Sequence, residues 1–187
     1  VYSYVNCFSS CPFNQPLNNW IINTERDVTF YRMFFYNSEF NQPLNSWNTS
    51  SVTNLRQTFN GCTDFNQDLN NWNVSNVTTF QSTFLLASSF NGNVDNWVLN
   101  TISSINCTGM FNSALVFNRD ISNWNTSQVT NMSSMFNNAK AFNQNLNTVG
   151  AKWDVSSVIS FASMFNGASV FNGTLTGWDT ASATDMS

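Results

Sequence analysis

The chain has 187 residues, 42% of them hydrophobic and 16% aromatic, yet only 9% charged, with a net charge of −4 and no His. That hydrophobic share excludes a disordered chain, the absence of His excludes Ser-His-Asp and Cys-His catalysis and the commonest zinc ligand, and six basic residues form no phosphate-neutralising patch for nucleic acid. No run of 18 apolar residues spans a bilayer and residues 1–10 lack the pattern of a signal peptide, so 33 Asn, 25 Ser and 18 Thr must cover the surface.

The organising feature is a repeat. Phe-Asn recurs at Phe13, Phe40, Phe65, Phe90, Phe117, Phe142 and Phe171, and Trp follows seven residues later at Trp20, Trp47, Trp72, Trp97, Trp124 and Trp178. A second Phe precedes by six at Phe34, Phe59, Phe84, Phe111, Phe136 and Phe165. In chain order, the first unit has Cys7 where the others have Phe, with Cys11 four residues on, and these two thiols can pair in an oxidising compartment. The second and third units place Ser50 and Ser75 three residues past Trp47 and Trp72, where a side-chain oxygen would cap a helix. Trp72, Asn73 and Val74 alternate as a half-buried strand does. Thr58 and Thr83 stand where later units have Met, and two extra residues follow Trp20 and Trp97. In the fifth unit Ser127 precedes Val129, Met132, Met135, Phe136 and Ala139, whose spacing is one stripe of an α-helix. The sixth carries an insertion at Thr148 to Lys152, so that its Trp153 comes late, followed by Ser156. The seventh ends at Ser187 inside the next stripe, which reads as a segment of a longer array.

Each unit is thus predicted to be a short strand, a short helix and a return loop. So few apolar side chains cannot offset the ordering of 25 residues, and the units must stack. The Phe columns and Trp columns are the candidate core. The Asn after each Phe, at Asn14, Asn41, Asn66, Asn91, Asn118, Asn143 and Asn172, carries a donor and an acceptor in every unit and is read as a structural ladder serving buried loop backbone. Cys62 and Cys107, two units apart, are too distant to pair and are expected as buried thiols.

The outward column after each Trp supplies a candidate binding face of Asn48, Asn73, Asn125, Asp154 and Asp179. Asp154 and Asp179 repeat a carboxylate in adjacent units, but exposed carboxylates are the ordinary case, so neither a metal nor a catalytic residue is expected. Sequons begin at Asn48, Asn73, Asn76, Asn106, Asn125, Asn131 and Asn172. Asn48 and Asn73 crowd each other and Asn172 belongs to the ladder, which leaves Asn76, Asn106 and Asn131, beside the predicted helix, as the better N-glycosylation candidates.

The string Val129-Thr130-Asn131-Met132-Ser133-Ser134-Met135-Phe136, followed by Ala139 and Phe142-Asn143-Gln144, resembles the BspA-like leucine-rich-repeat surface proteins, the 25-residue repeat of mycoplasma-type surface lipoproteins. Trp72-Asn73-Val74-Ser75 with Val77-Thr78 adds to the likeness. The resemblance implies an α/β leucine-rich-repeat-like solenoid with parallel strands on one face and short helices on the other. It would be a single domain over residues 1–187, with about seven repeats and open at both ends. It also implies an extracellular or cell-surface location and adhesion or binding, without a catalytic residue or cofactor. The expected function is a non-catalytic surface protein that binds other proteins or glycans through its repeat scaffold. The other expectation is a structural protomer that joins further copies of itself end to end into an extracellular filament.

Overall fold

The computed structural model describes residues 1–148 and 152–187; part of the insertion expected at Thr148 to Lys152 therefore lies outside the described residues. Tight turns dominate, and five short strands interrupt them: β1 (Tyr2–Ser3), β2 (Val28–Thr29), β3 (Val52–Asn54), β4 (Ile105–Asn106) and β5 (Val129–Asn131). β1, β2 and β3 pair in parallel in that order, and β4 pairs in parallel with β5. Single parallel bridges, Asn54 with Thr79, Thr79 with Asn106, Asn131 with Ser160 and Ser160 with Asp185, carry the line across intervening units.

The expected α/β solenoid is overturned. Among the described residues there is no helix, and the sheet consists of one three-stranded and one two-stranded piece. The strands are also displaced: Trp72, Asn73 and Val74 lie in turn and loop, while β3 and β5 occupy the start of the stripe that was read as helix. Ser50, Ser75, Ser127 and Ser156 accordingly have no helix to cap.

Backbone conformation explains the failure. The supposed helical stretch of each complete unit holds two left-handed residues four apart, for example Arg32 and Tyr36, Gln57 and Gly61, Ser82 and Leu86, Gly109 and Ser113, or Ser134 and Asn138. Their φ values lie between 54° and 76°, whereas a helix requires about −63°. Tight turns form instead: Met33 N–H donates to Phe30 O at 2.9 Å and Asn37 N–H to Phe34 O at 2.9 Å, with the left-handed residue third in each turn. The amides between them point the other way. Arg32, Phe34 and Tyr36 donate to Arg56, Thr58 and Asn60 of the next unit at 3.1, 3.0 and 2.7 Å. A helix would use every amide internally; here alternate amides bond unit to unit, so backbone pairing itself holds the stack.

The stripe still points inward, because a run of tight turns brings the same side chains to one side. Val129, Met132, Met135, Phe136 and Ala139 are all buried. Three aromatic columns run through the interior. Phe34, Phe59, Phe84, Phe111 and Phe136 follow one another at ring-centroid steps of 5.5, 5.6, 5.5 and 5.8 Å, with their planes nearly parallel. Phe40, Phe65, Phe90, Phe117 and Phe142 form the second column at 5.8 to 6.0 Å, and each packs within 4.2 Å of the Phe of its own unit in the first. Trp20, Trp47 and Trp72, then Trp97, Trp124 and Trp153, stack at 5.8 to 6.4 Å. Offset stacks at these distances stabilise beyond the area they bury. Phe40, Trp47, Phe59, Phe65, Trp72, Phe84, Phe90, Phe111, Trp124 and Phe136 are buried, and Phe165 is half-buried. Phe8, not Cys7, fills the Phe position of the first unit, stacking 5.4 Å from Phe34. Thr58 and Thr83 sit in the Met column and remain buried because each hydroxyl donates to a turn carbonyl, Leu55 O and Phe80 O, at 2.8 Å.

Candidate functional site

Polar side chains form rows as regular as the aromatic ones. In the row after each Phe, the Oδ1 of Asn14, Asn41, Asn66, Asn91, Asn118 and Asn143 accepts the backbone N–H of the corresponding Asn one unit on, at 2.7 to 3.0 Å, ending at Asn172. Gln42, Gln67 and Gln144 reinforce the row by donating Nε2–H to the carbonyl of the Asn one unit back. Arg119 does the same with Nε at 2.6 Å from Asn91 O. At Gly92 and Gly173, which replace the Gln, the chain passes so close to the carbonyls of Gln67 and Gln144 that a Cβ would overlap them. The row runs along the edge of the core: Asn14, Asn41 and Asn91 are half-buried, and Asn172, expected to be inaccessible, is exposed.

The residues of the expected binding face share a different local bond. Asn48, Asn73, Asn125, Asp154 and Asp179 each accept, through Oδ1, the N–H two residues on, at 3.1, 3.0, 3.2, 2.9 and 3.0 Å. This Asx turn is the physical reason for Asn or Asp in that column. Asn48, Asn73 and Asp179 are exposed, whereas Asn125 and Asp154 are half-buried. No group of three or more His, Cys, Asp or Glu among the described residues could hold a metal.

The sequon residues divide by exposure. Asn76 is exposed, with its amide donating to Ser50 O at 2.8 Å. Asn106 and Asn131 lie half-buried in β4 and β5, their Oδ1 atoms accepting from Thr108 and Ser133 at 2.9 Å; the helix beside which they were expected does not exist. All four cysteines are free thiols: Cys7 exposed, Cys11 half-buried, Cys62 and Cys107 fully buried. Burial pushes both buried thiols up, Cys107 to about 12, which keeps them protonated and inert.

A groove that the sequence reading missed crosses five units on the side of the left-handed turns. It encloses about 560 Å³ between Tyr36, Gly61, Leu86, Ser113, Leu115 and Lys140. Tyr36 is 51% exposed and its ring lies against Gly61, where a Cβ would come within 2.9 Å of the ring. Leu86 and Leu115 are 40% and 37% exposed. Gly61, between Tyr36 and Leu86 in its column, is a sequence signal of this recess.

A family model described as Mycoplasma protein of unknown function, DUF285, matches residues 2–114 and again residues 98–187. No curated protein and no solved structure matches the chain.

Proposed function

The chain belongs to the family described as Mycoplasma protein of unknown function, DUF285, and on that premise we propose that it is a non-catalytic cell-surface or extracellular protein of the BspA-like surface kind, which mediates adhesion by binding proteins or glycans. The observation that carries this reading is the groove over Tyr36, Gly61, Leu86 and Leu115 on a stack whose backbone is bonded from unit to unit. Apolar walls with a few polar groups are the usual anatomy of a ligand site. A surface of Asn, Ser and Thr with little charge suits recognition through hydrogen bonds. The groove hydroxyls of Thr63, Ser88 and Ser113 are held by hydrogen bonds to Ser38 O, Thr63 O and Asn112 Oδ1, which lowers the ordering cost of binding.

Beads coated with the chain are expected to adhere to cells or to extracellular matrix, and antibody against the chain is expected to label intact source cells. Bare beads matching coated ones, together with recovery of the native protein from cytosol, would sink the proposal.

A second reading is end-to-end assembly of copies, favoured by the pairing of alternate backbone amides from unit to unit along the stack, a bond pattern that a further copy can continue. Regular fibres in electron micrographs of native material would establish assembly between copies; uniformly isolated particles would dismiss it.

A further inference from the structure

We propose that the groove from Tyr36 to Lys140 binds a linear β-linked polysaccharide bearing carboxylates, with Tyr36 as its stacking platform and Lys140 as its anion contact. This inference rests on the reading of the chain as a surface-binding protein and names the ligand class for that site.

Four observations select this ligand. First, the floor offers no single strand edge: Gly61, Leu86, Ser113 and Asn138 donate their N–H groups to Leu85, Asn112, Asn137 and Asn166 at 2.7 to 2.9 Å, and the amides without an acceptor among the described residues, those of Ser38, Thr63, Ser88, Leu115 and Lys140, come one from each unit. A peptide could not add itself as a strand here, and its own amides would lie unpaired. Second, the floor presents hydroxyls one unit apart whose protons are already committed. Thr63 Oγ1 donates to Ser38 O at 3.2 Å, Ser88 Oγ to Thr63 O at 3.4 Å, and Ser113 Oγ to Asn112 Oδ1 at 2.9 Å. Their lone pairs remain free as acceptors, and a polyhydroxylated chain brings donors on every residue.

Third, the spacing fits. The units are hydrogen-bonded backbone to backbone, which spaces them about 4.8 Å apart along the groove. A β-linked hexopyranose chain advances by about one ring per residue and stays in step with them, whereas an extended peptide advances roughly 3.3 Å per residue and drifts out. The half-exposed Tyr36 ring, with Leu86 and Leu115 beyond it, meets the C–H faces of successive sugars. Fourth, charge is asymmetric along the groove. Lys140 is exposed at one end, while the exposed Glu39 and Asp64 adjoin Ser38 and Thr63 at the Tyr36 end. A sugar carboxylate is therefore drawn towards Lys140 and repelled from the other end.

The test is calorimetric titration of the whole chain with a hyaluronan octasaccharide, in which a uronic acid alternates with a neutral amino sugar, and with chitohexaose as a neutral β-linked counterpart. Saturable binding of the hyaluronan fragment is expected. Tyr36→Ala should weaken both sugars at least tenfold, and Leu115→Glu should weaken hyaluronan more than chitohexaose. Lys140→Gln should weaken only hyaluronan, several-fold, and remove most of its salt dependence. Each variant is to melt like the parent. Absence of binding by the parent chain, or parent-like affinity in a folded Tyr36→Ala chain, overturns the proposal. Bead adhesion that persists in Tyr36→Ala and in excess octasaccharide also overturns it, and leaves the surface-binding reading standing.

Discussion

One indole in the stack differs from its neighbours. Trp47, Trp72, Trp97 and Trp124 each donate Nε1–H to a carbonyl of the preceding unit, Trp124 to Val94 O at 3.0 Å, whereas Nε1 of Trp153 is buried without an acceptor among the described residues. Trp124→Phe removes one of the two hydrogen bonds to Val94 O, which keeps the N–H of Trp97 at 3.1 Å, and Trp153→Phe removes an orphan donor, so the first is expected to cost about 1 kcal/mol more than the second. Denaturant unfolding of the two variants measures the difference, and equal losses would show that the indole bonds add nothing. In the Asn row, Asn91→Ala removes the acceptor of the Asn118 amide and is expected to cost about 1 kcal/mol. Asn73→Ala gives up only an exposed Asx turn and should cost less than about 0.5 kcal/mol. Asp95 supplies the pH dependence. Burial holds its carboxyl above the ordinary value, a shift that Arg119 only partly opposes. With the folded value raised, the unfolded chain ionises first. The contribution of Asp95 is therefore most favourable below the unfolded value of about 3.9 and falls as pH rises to the folded one. Asp95→Asn should accordingly raise the melting temperature near pH 7 and leave it unchanged near pH 3, which thermal melts at both values would check.

The turn is the element on which sequence and structure part. Spacings of three, three, one and three residues are common to one face of a helix and to a run of tight turns, and periodicity alone cannot separate them. Inward positions were therefore legible, as Met132, Met135 and Phe136 testify, while the backbone that delivers them was not. The separating signal was faint: Gly61, Gly109 and Gly167 share columns with Arg, Gln, Ser, Tyr, Leu and Asn, all held left-handed by the packing of neighbouring units. The ladder residues could be read because they keep one offset from Phe. The groove could not, since its walls gather two residues from each of five units. Ser134 tests the turn directly. At φ 55° a side chain costs roughly 1 to 2 kcal/mol, which glycine avoids at an entropic cost of about 0.5 to 1 kcal/mol. Ser134→Gly is thus expected to be neutral or stabilising by up to about 1 kcal/mol, whereas a helix interior would be destabilised. The sign of the change in denaturation midpoint decides.

Across the whole molecule, contacts run between neighbouring units, so energetic coupling should be short-ranged. Phe84 and Phe111 touch at 5.5 Å, and the double variant Phe84→Leu with Phe111→Leu should depart from additivity by at least about 0.5 kcal/mol. Phe34→Leu with Phe136→Leu, four units apart, should add to within that margin, and strong coupling in this distant pair would refute a nearest-neighbour stack. The same regularity gives the molecule an optical character. Trp20 to Trp72, and Trp97 to Trp153, are indoles in near-parallel register at 5.8 to 6.4 Å, close enough for their excited states to mix and for absorbed light to pass from ring to ring. Ultraviolet emission from the folded chain would then be collective while keeping its polarisation, so that a quencher held beside Trp124 dims its neighbours with it, and the signal breaks into independent emitters when the stack comes apart.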